Sequence, residues 1–173
     1  MFATIYLPDF YLQAALRHQP ELAGKPVALI NDQEKKAVIV QLNAVAAEFG
    51  VCSGMTPSQG LARTLALVIK VRSAAQEKIL QGVLLQCAGT LAPYVEDTAP
   101  GIATVQFTDT RNVGNKVAGV VSQLARSEIS AQAGIAPTPD ASFLAAHLAD
   151  PVLEIGDARE FLATLPIEVL AID

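Results

Sequence analysis

The order of short apolar strands and long helical stretches constrains this fold more than any other feature of the sequence. A first strand, Ala3–Leu7, is stopped by Pro8. From Ala74 onward the chain reads as a long helix, two strands across a turn at Ala99–Gly101, a second long helix and a last strand. This β-α-β-β-α-β order predicts one sheet that carries two helices on one face.

The two long helices are recognised by their apolar spacing, which places one side of each against a sheet. The second covers Asn115–Ser127, and the first carries a stripe of Ile79, Leu80, Val83, Leu84, Cys87 and Leu91. We therefore predict an α+β fold with a ferredoxin-like βαββαβ core. The first strand is separated from the rest by a small α/β insertion.

The insertion has its own start and stop signals. "PVALI" and "AVIVQL" read as strands joined by the polar loop "NDQEKK", and Asn43 and Thr56 are predicted helix caps. We predict a core of residues 1–9 and 73–150, an insertion of residues 10–72, and the start of a helical region at 151–173.

"FGVCSGM", between the two short helices of the insertion, raises the question of a phosphate-binding loop. Gly50 and Gly54 permit tight turns, but no GxxxxGK[ST] pattern surrounds them. The stretch is therefore interpreted as a corner between helices.

Composition excludes some classes of function. Hydrophobic residues make up 51% of the chain and the net charge is −5, with no basic stripe of the kind that binds nucleic acid. The start lacks a basic leader and no apolar run is long enough to span a membrane. Cys52 and Cys87, far apart in the chain, are predicted to be reduced and buried. We expect a cytoplasmic protein without membrane contact.

Four stretches follow one another in the order and spacing of a Y-family (translesion) DNA polymerase. They are "PELAGKPVALI", "VIVQLNAVAAEFGVCSGM", "YVEDTAPGIATVQFTDT" and "ISAQAGIAPTPDASFLAAHLAD". The chain resembles the impB/mucB/samB type of this family, and the resemblance implies that the core is the palm, the insertion the fingers and 151–173 the start of the thumb. The end of the chain near a domain border suggests a trimmed piece.

The resemblance also implies where catalytic carboxylates would be. In the family, one Asp closes the first palm strand and an Asp-Glu pair sits at the hairpin, and these ligands hold two divalent metals for nucleotidyl transfer. Matching "YLPDFY" and "GIATVQFT" to those motifs puts Tyr6, Gly101 and Ile102 at the three acidic positions. All three carboxylates are therefore expected to be missing, and no cofactor is expected.

Nucleotide contacts implied by the resemblance are changed too. Phe10 and Tyr11 match positions that border the sugar of the incoming nucleotide. The family's Tyr and Arg in "Y-x-A-R" correspond to Ala44 and Ala47, which have neither a phenol nor a guanidinium. A palm Lys corresponds to about Ala146 or falls in "ADPV", where no Lys occurs.

Other acids leave an alternative open. Asp9, Glu96 and Asp97 are fallback metal ligands for a weakly active nucleotidyltransferase that would use Mg²⁺, although Asp9 also reads as a helix cap. His18 and His147 are isolated and are predicted to be structural. A third possibility is a ferredoxin-like module that binds another protein.

The missing ligands are similar to those of the ImuB-like branch of the family. That resemblance implies an adaptor in damage-induced mutagenesis and the SOS response, with a RecA-like accessory protein, an error-prone polymerase and the sliding clamp as partners. The segments that bind those partners in the family are expected in C-terminal parts outside these 173 residues. We expect DNA binding to be weak or to depend on those parts.

Overall fold

The structure, a computed structural model, describes residues 1–22, 24–31 and 37–166. Most of the predicted loop "NDQEKK" and the last seven residues of the predicted thumb segment lie outside these ranges. The described helices and strands are, in chain order, β1 Phe2–Tyr6, α1 Phe10–Leu16, β2 Val27–Ile30, β3 Ile39–Leu42, α2 Ala44–Glu48, α3 Pro57–Arg63, β4 Val68–Val71, α4 Ala74–Gly89, β5 Tyr94–Ala99, β6 Ile102–Gln106, α5 Val113–Arg126, β7 Gln132–Ala136, α6 Pro139–Leu148, β8 Val152–Glu154 and α7 Ala158–Thr164.

The chain folds into two compact units. Met1–Pro8 and Leu80–Asp173 form the first unit, and Asp9–Ile79 form the second. The assignment of palm, fingers and thumb to residue ranges stays a prediction. No helix in the described part of the chain is long and apolar enough to cross a membrane.

The first unit is built on a five-stranded sheet of order β5-β6-β1-β7-β8. β1 lies antiparallel to both β6 and β7, while β8 adds in parallel beside β7. Together with α4 and α5, the strands β1, β5, β6 and β7 give the predicted β-α-β-β-α-β arrangement. The α+β fold class is confirmed.

One face of this sheet forms the core of the first unit. Successive residues of a strand point to opposite faces, so Ala3 and Ile5 of β1 share a face with Ala103 and Val105 of β6, and all four are completely buried. α5 packs on β7 and β8, and α4 buries Leu80 and Leu84. Of the predicted stripe on α4, Ile79 is 63% exposed, so that part of the prediction is wrong.

The opposite face of the sheet is covered over β1 and β7 by α6. The helix lies so close to β7 that a Cβ added at Gly134 would collide with the backbone of Ser142 and Ala146. Beside this contact, the buried Thr4 hydroxyl is 2.8 Å from the Ser142 hydroxyl and 3.2 Å from that of Thr104. A short hydroxyl chain therefore links α6 to the two central strands.

The second unit has a three-stranded sheet of order β3-β2-β4, with β4 parallel and β3 antiparallel to β2. The alternation along β2 separates two cores: Val27 and Leu29 pack with α1, while Ala28 and Ile30 pack in the cluster that contains Ala46 of α2.

The predicted helix caps of the second unit are confirmed for Asn43 and Thr56, whose side chains accept from the amides of Ala46 and Gln59. Gly50 and Gly54 have φ angles of 76° and 84°, and these conformations favour glycine on each side of the corner in "FGVCSGM".

Two sequence predictions in the second unit need correction. Asp9 occupies the cap position of α1, but its φ is 48° and its side chain makes no cap hydrogen bond. The amide of Leu12, at the third helical position, instead donates to Gln41 Oε1 of β3 over 2.8 Å. Cys52 is exposed, because it lies in the turn between Gly50 and Gly54, whereas Cys87 is buried as predicted.

Candidate functional site

The three positions that correspond to the family's catalytic acids meet at one corner of the first unit. Tyr6, the last residue of β1, pairs directly with Ile102, the first residue of β6. Just beyond this pair, the amide of Leu7 donates to the carbonyl oxygen of Gly101 over 2.8 Å. The antiparallel register of β1 and β6 therefore brings Tyr6, Gly101 and Ile102 together.

The corner is filled by rings. Tyr6 stacks on His147 of α6 with ring centroids 4.1 Å apart and an interplanar angle of 25°. The His147 ring lies 4.5 Å from that of Phe143, and its Nδ1 donates to the Phe143 carbonyl oxygen over 2.9 Å. The sequence predicted no functional role for Phe143. Only the one-turn spacing of Phe143 and His147 on a helix indicated that these two rings would be neighbours.

The donor set of this corner does not fit magnesium. Mg²⁺ takes hard oxygen ligands, chiefly carboxylates, in an octahedral arrangement, whereas Tyr6 offers a phenol and Gly101 and Ile102 offer no side-chain oxygen. Within the described ranges, no group of three or more His, Cys, Asp or Glu side chains is placed to hold a metal ion. The side chains present at this corner therefore do not fit a pair of magnesium ions.

The fallback acids Glu96 and Asp97 do not converge either. They are consecutive residues of β5, so their side chains leave the sheet on opposite faces. Glu96 pairs with Thr104 and shares its face, while Asp97 pairs with Ala103 on the core face. Asp9 belongs to the second unit, at the start of α1.

Gln81 of α4 explains the position of Asp97. Its amide nitrogen donates to Asp97 Oδ1 over 2.6 Å and to the Ala99 carbonyl over 3.2 Å. Its amide oxygen accepts from the Gly101 amide over 2.7 Å. One glutamine therefore holds both sides of the β5–β6 turn, and nothing in its local sequence indicated this role.

Two aromatic residues of the second unit match the positions that border the nucleotide sugar in the family, and both pack against other side chains of this chain. Phe10 is buried and meets Tyr11 edge to face, with ring centroids 5.4 Å apart. The Arg72 guanidinium lies 3.5 Å from the centre of the Tyr11 ring. One face of that ring is therefore covered by a cation.

Arg72 is fixed in turn by Glu77. Its Nε and Nη2 donate to the two Glu77 carboxylate oxygens, each over 2.9 Å. The hydrogen bonds to Glu77, followed by the charge of the carboxylate, raise the pKa of Arg72 above its usual range despite partial burial. A cation–π contact and a bidentate ion pair therefore connect Tyr11, Arg72 and Glu77 within the second unit.

The positions that correspond to the family's phosphate-binding side chains carry no polar side-chain group. Ala44 and Ala47 are exposed residues of the five-residue helix α2, and Ala146 is fully buried in α6. His18 is exposed.

An exposed ion pair lies beside the start of α5. Arg111 donates to both carboxylate oxygens of Asp109 and lowers the pKa of that exposed carboxyl.

The chain matches the model of the impB/mucB/samB family over residues 5–147. It is 28% identical over 178 residues to a DNA polymerase IV of Ralstonia nicotianae, covering 93% of this chain and 48% of that protein. A DNA polymerase IV of Legionella pneumophila (strain Corby) is 25% identical with the same coverages.

Solved structures agree on the fold. A post-insertion binary complex of Dbh DNA polymerase superposes with a TM-score of 0.85 at 17% identity, over 97% of this chain and 52% of that one. DinB from Sulfolobus solfataricus gives a TM-score of 0.82 at 16% identity, with the same coverages. The chain thus spans about half the length of the proteins that it matches.

Proposed function

This chain belongs to the impB/mucB/samB family of Y-family DNA polymerase-like proteins of DNA repair and translesion synthesis, and we propose that it is a non-catalytic member. Its role would be structural or adaptor-like, as in the ImuB-like branch. The observation that carries the proposal is the corner at which the catalytic positions meet, where Tyr6 is stacked on His147 and neither Gly101 nor Ile102 has a side-chain oxygen.

The nucleotide-binding side of the site supports the same conclusion. Tyr11 is engaged by Arg72, and Ala44 and Ala47 offer no group that could neutralise a triphosphate. In addition, none of the five strands of the first unit contains Lys or Arg, whereas DNA affinity rests largely on such side chains. Polar ligands are absent at several separate places in the chain. This favours an inactive site over a site in which one ligand has been exchanged for another.

The alternative of a weak nucleotidyltransferase with relocated ligands finds less support. It needs Glu96 and Asp97 to hold magnesium with Asp9, but the first two side chains leave β5 on opposite faces. Asp97 is also already hydrogen-bonded to Gln81.

Primer extension tests the proposal. The purified chain is incubated with primer, template and all four deoxynucleotides, in Mg²⁺ and separately in Mn²⁺, with the Ralstonia nicotianae DNA polymerase IV as positive control. We expect no extension above the level without protein. Templated incorporation by the chain would overturn the proposal, and its loss in Asp97→Ala would support the relocated site.

The adaptor role is tested by binding to the partners that the ImuB-like resemblance implies. Purified RecA-like accessory protein, error-prone polymerase and sliding clamp from one organism are each passed over the immobilised chain. We propose that at least one binds in a cytoplasmic complex formed after DNA damage. Failure of all three would remove the adaptor role from this part of the protein and leave a structural one.

A further inference from the structure

The edge strand β5 presents hydrogen-bonding groups over Tyr94–Thr98, before the Ala99 carbonyl that accepts from Gln81. It is the outermost strand of the five-stranded sheet and runs for six residues, whereas the opposite edge, β8, has three. Among the described residues, no backbone hydrogen bond outside the helices and sheets involves 94–99. The outward N–H and C=O groups of such an edge are a template for another strand.

β5 has only some of the features that protect an edge: Pro93 and Pro100 flank it, and its register is irregular between Asp97 and Ala99. Its sequence YVEDTA contains neither Lys nor Pro, although these residues commonly block strand addition. The register shifts only between Asp97 and Ala99, so Tyr94–Asp97 is a regular stretch. Tyr94 is 61% exposed.

A depression of about 340 Å³ lies beside this edge on the face that Glu96 shares with Thr104. Half of its eight lining residues are aromatic or proline, and Glu96 is the only charged residue among the described residues that line it. The lining residues are Phe2, Pro93, Tyr94, Val95, Glu96, Thr104, Gln106 and Pro139.

This combination fits a long basic side chain. The aliphatic stem of Arg or Lys packs on apolar and aromatic surface, while its charged end seeks a carboxylate. Glu96 supplies that carboxylate, and Asp140 follows directly after Pro139 in the first turn of α6. That turn is already capped by the Thr138 hydroxyl, which accepts from the Ala141 amide.

A second copy of this chain is a poor occupant of the edge. Pairing of two β5 strands would bring Glu96 and Asp97 of each copy close to those of the other, and like charges across strands are destabilising. We infer that β5 accepts an extended, basic segment of a partner protein as an added strand, with an Arg or Lys side chain in the depression. This inference rests on the proposed adaptor role, and it identifies β5 as the surface that would bind the partner protein.

The probe for this site is a short fluorescein-labelled peptide in which Arg alternates with Val, and its binding is followed by fluorescence polarisation. A matched peptide with Glu in place of Arg is expected not to bind. Glu96→Lys is expected to weaken binding at least about tenfold, because it places like charges together. The matched control Glu160→Lys, an exposed acid in α7, should leave binding unchanged.

Pairing of the peptide with β5 as an added strand leads to one further prediction. Only every second amide of an added strand donates to β5, so methylation of one alternate set of peptide nitrogens should abolish binding while the other set is tolerated. Hydrogen exchange should slow at amides within 94–99. Equal tolerance of both methylated peptides, unchanged affinity in Glu96→Lys, or no binding at millimolar peptide would overturn the inference. These outcomes are independent of primer extension, so the inference can fail while the chain remains inactive on DNA.

Discussion

At the scale of single residues, the start of α1 gives a direct test of which side chain supports it. Gln41 Oε1 accepts from the Leu12 amide over 2.8 Å, whereas Asp9 makes no cap hydrogen bond. Gln41→Met keeps the shape but removes the acceptor, so we expect a loss of about 1–2 kcal/mol of unfolding free energy. Urea denaturation measures it. Asp9→Asn, which tolerates the left-handed backbone, should change stability by less than about 0.5 kcal/mol; a larger loss in Asp9→Asn would contradict this assignment.

The two cysteines give a second test at this scale. Burial raises the pKa of the Cys87 thiol, while Cys52 is exposed. Because the thiolate is the reactive form, a raised pKa leaves less of it at a given pH. With Ellman's reagent at pH 8 we expect one fast and one slow thiol, and the slow rate should keep rising at higher pH. Cys52→Ser should remove the fast phase only; loss of the slow phase would show the opposite assignment.

At the scale of elements, the contact between α6 and β7 depends on Gly134. A Cβ there would collide with the backbone of Ser142 and Ala146, which cannot yield as a side-chain end can. We expect Gly134→Ala to destabilise the protein by about 3 kcal/mol or more. Gly82→Ala is the matched control, because it meets open space in α4 and should stabilise by about 0.5–1 kcal/mol. The comparison is made by urea denaturation, and equal effects would contradict the close packing.

The elements that the sequence predicted are those fixed by local signals. Asn43 and Thr56 cap their helices through amides three residues ahead, and the order of apolar runs was sufficient to predict four of the five strands of the first unit's sheet. The fifth strand, β8, lies in the segment predicted as the start of a helical region. Contacts between distant residues had no such signal. Gln41 reaches Leu12 across 29 positions, and Gln81 reaches the Gly101 amide across 20.

In the candidate site, too, some features were predicted from the sequence and others were not. Matching motifs placed Tyr6 and Ile102 together, and the register of β1 and β6 pairs them directly. What fills the corner, His147, comes from a helix far along the chain, and an isolated histidine gives no sign of its neighbour. Likewise, the two-residue period of a strand separates Glu96 from Asp97, so adjacent acids in the sequence were poor candidates for one metal site.

At the scale of the whole molecule, metal affinity is the property that separates an inactive site from a relocated one. A metal that binds the folded chain with a millimolar Kd would add about 1.4 kcal/mol at about 10 mM metal. For a chain of 173 residues, that corresponds to a rise in Tm of several degrees, at about 2–4 °C per kcal/mol. We expect Mg²⁺ and Mn²⁺ to shift Tm by less than about 1 °C relative to NaCl of equal ionic strength. The three catalytic positions supply no carboxylate. In addition, the side chains of Glu96 and Asp97 lie on opposite faces of the sheet. A larger rise with Mn²⁺ that disappears in Asp97→Asn would place a metal on β5 and contradict the inactive site.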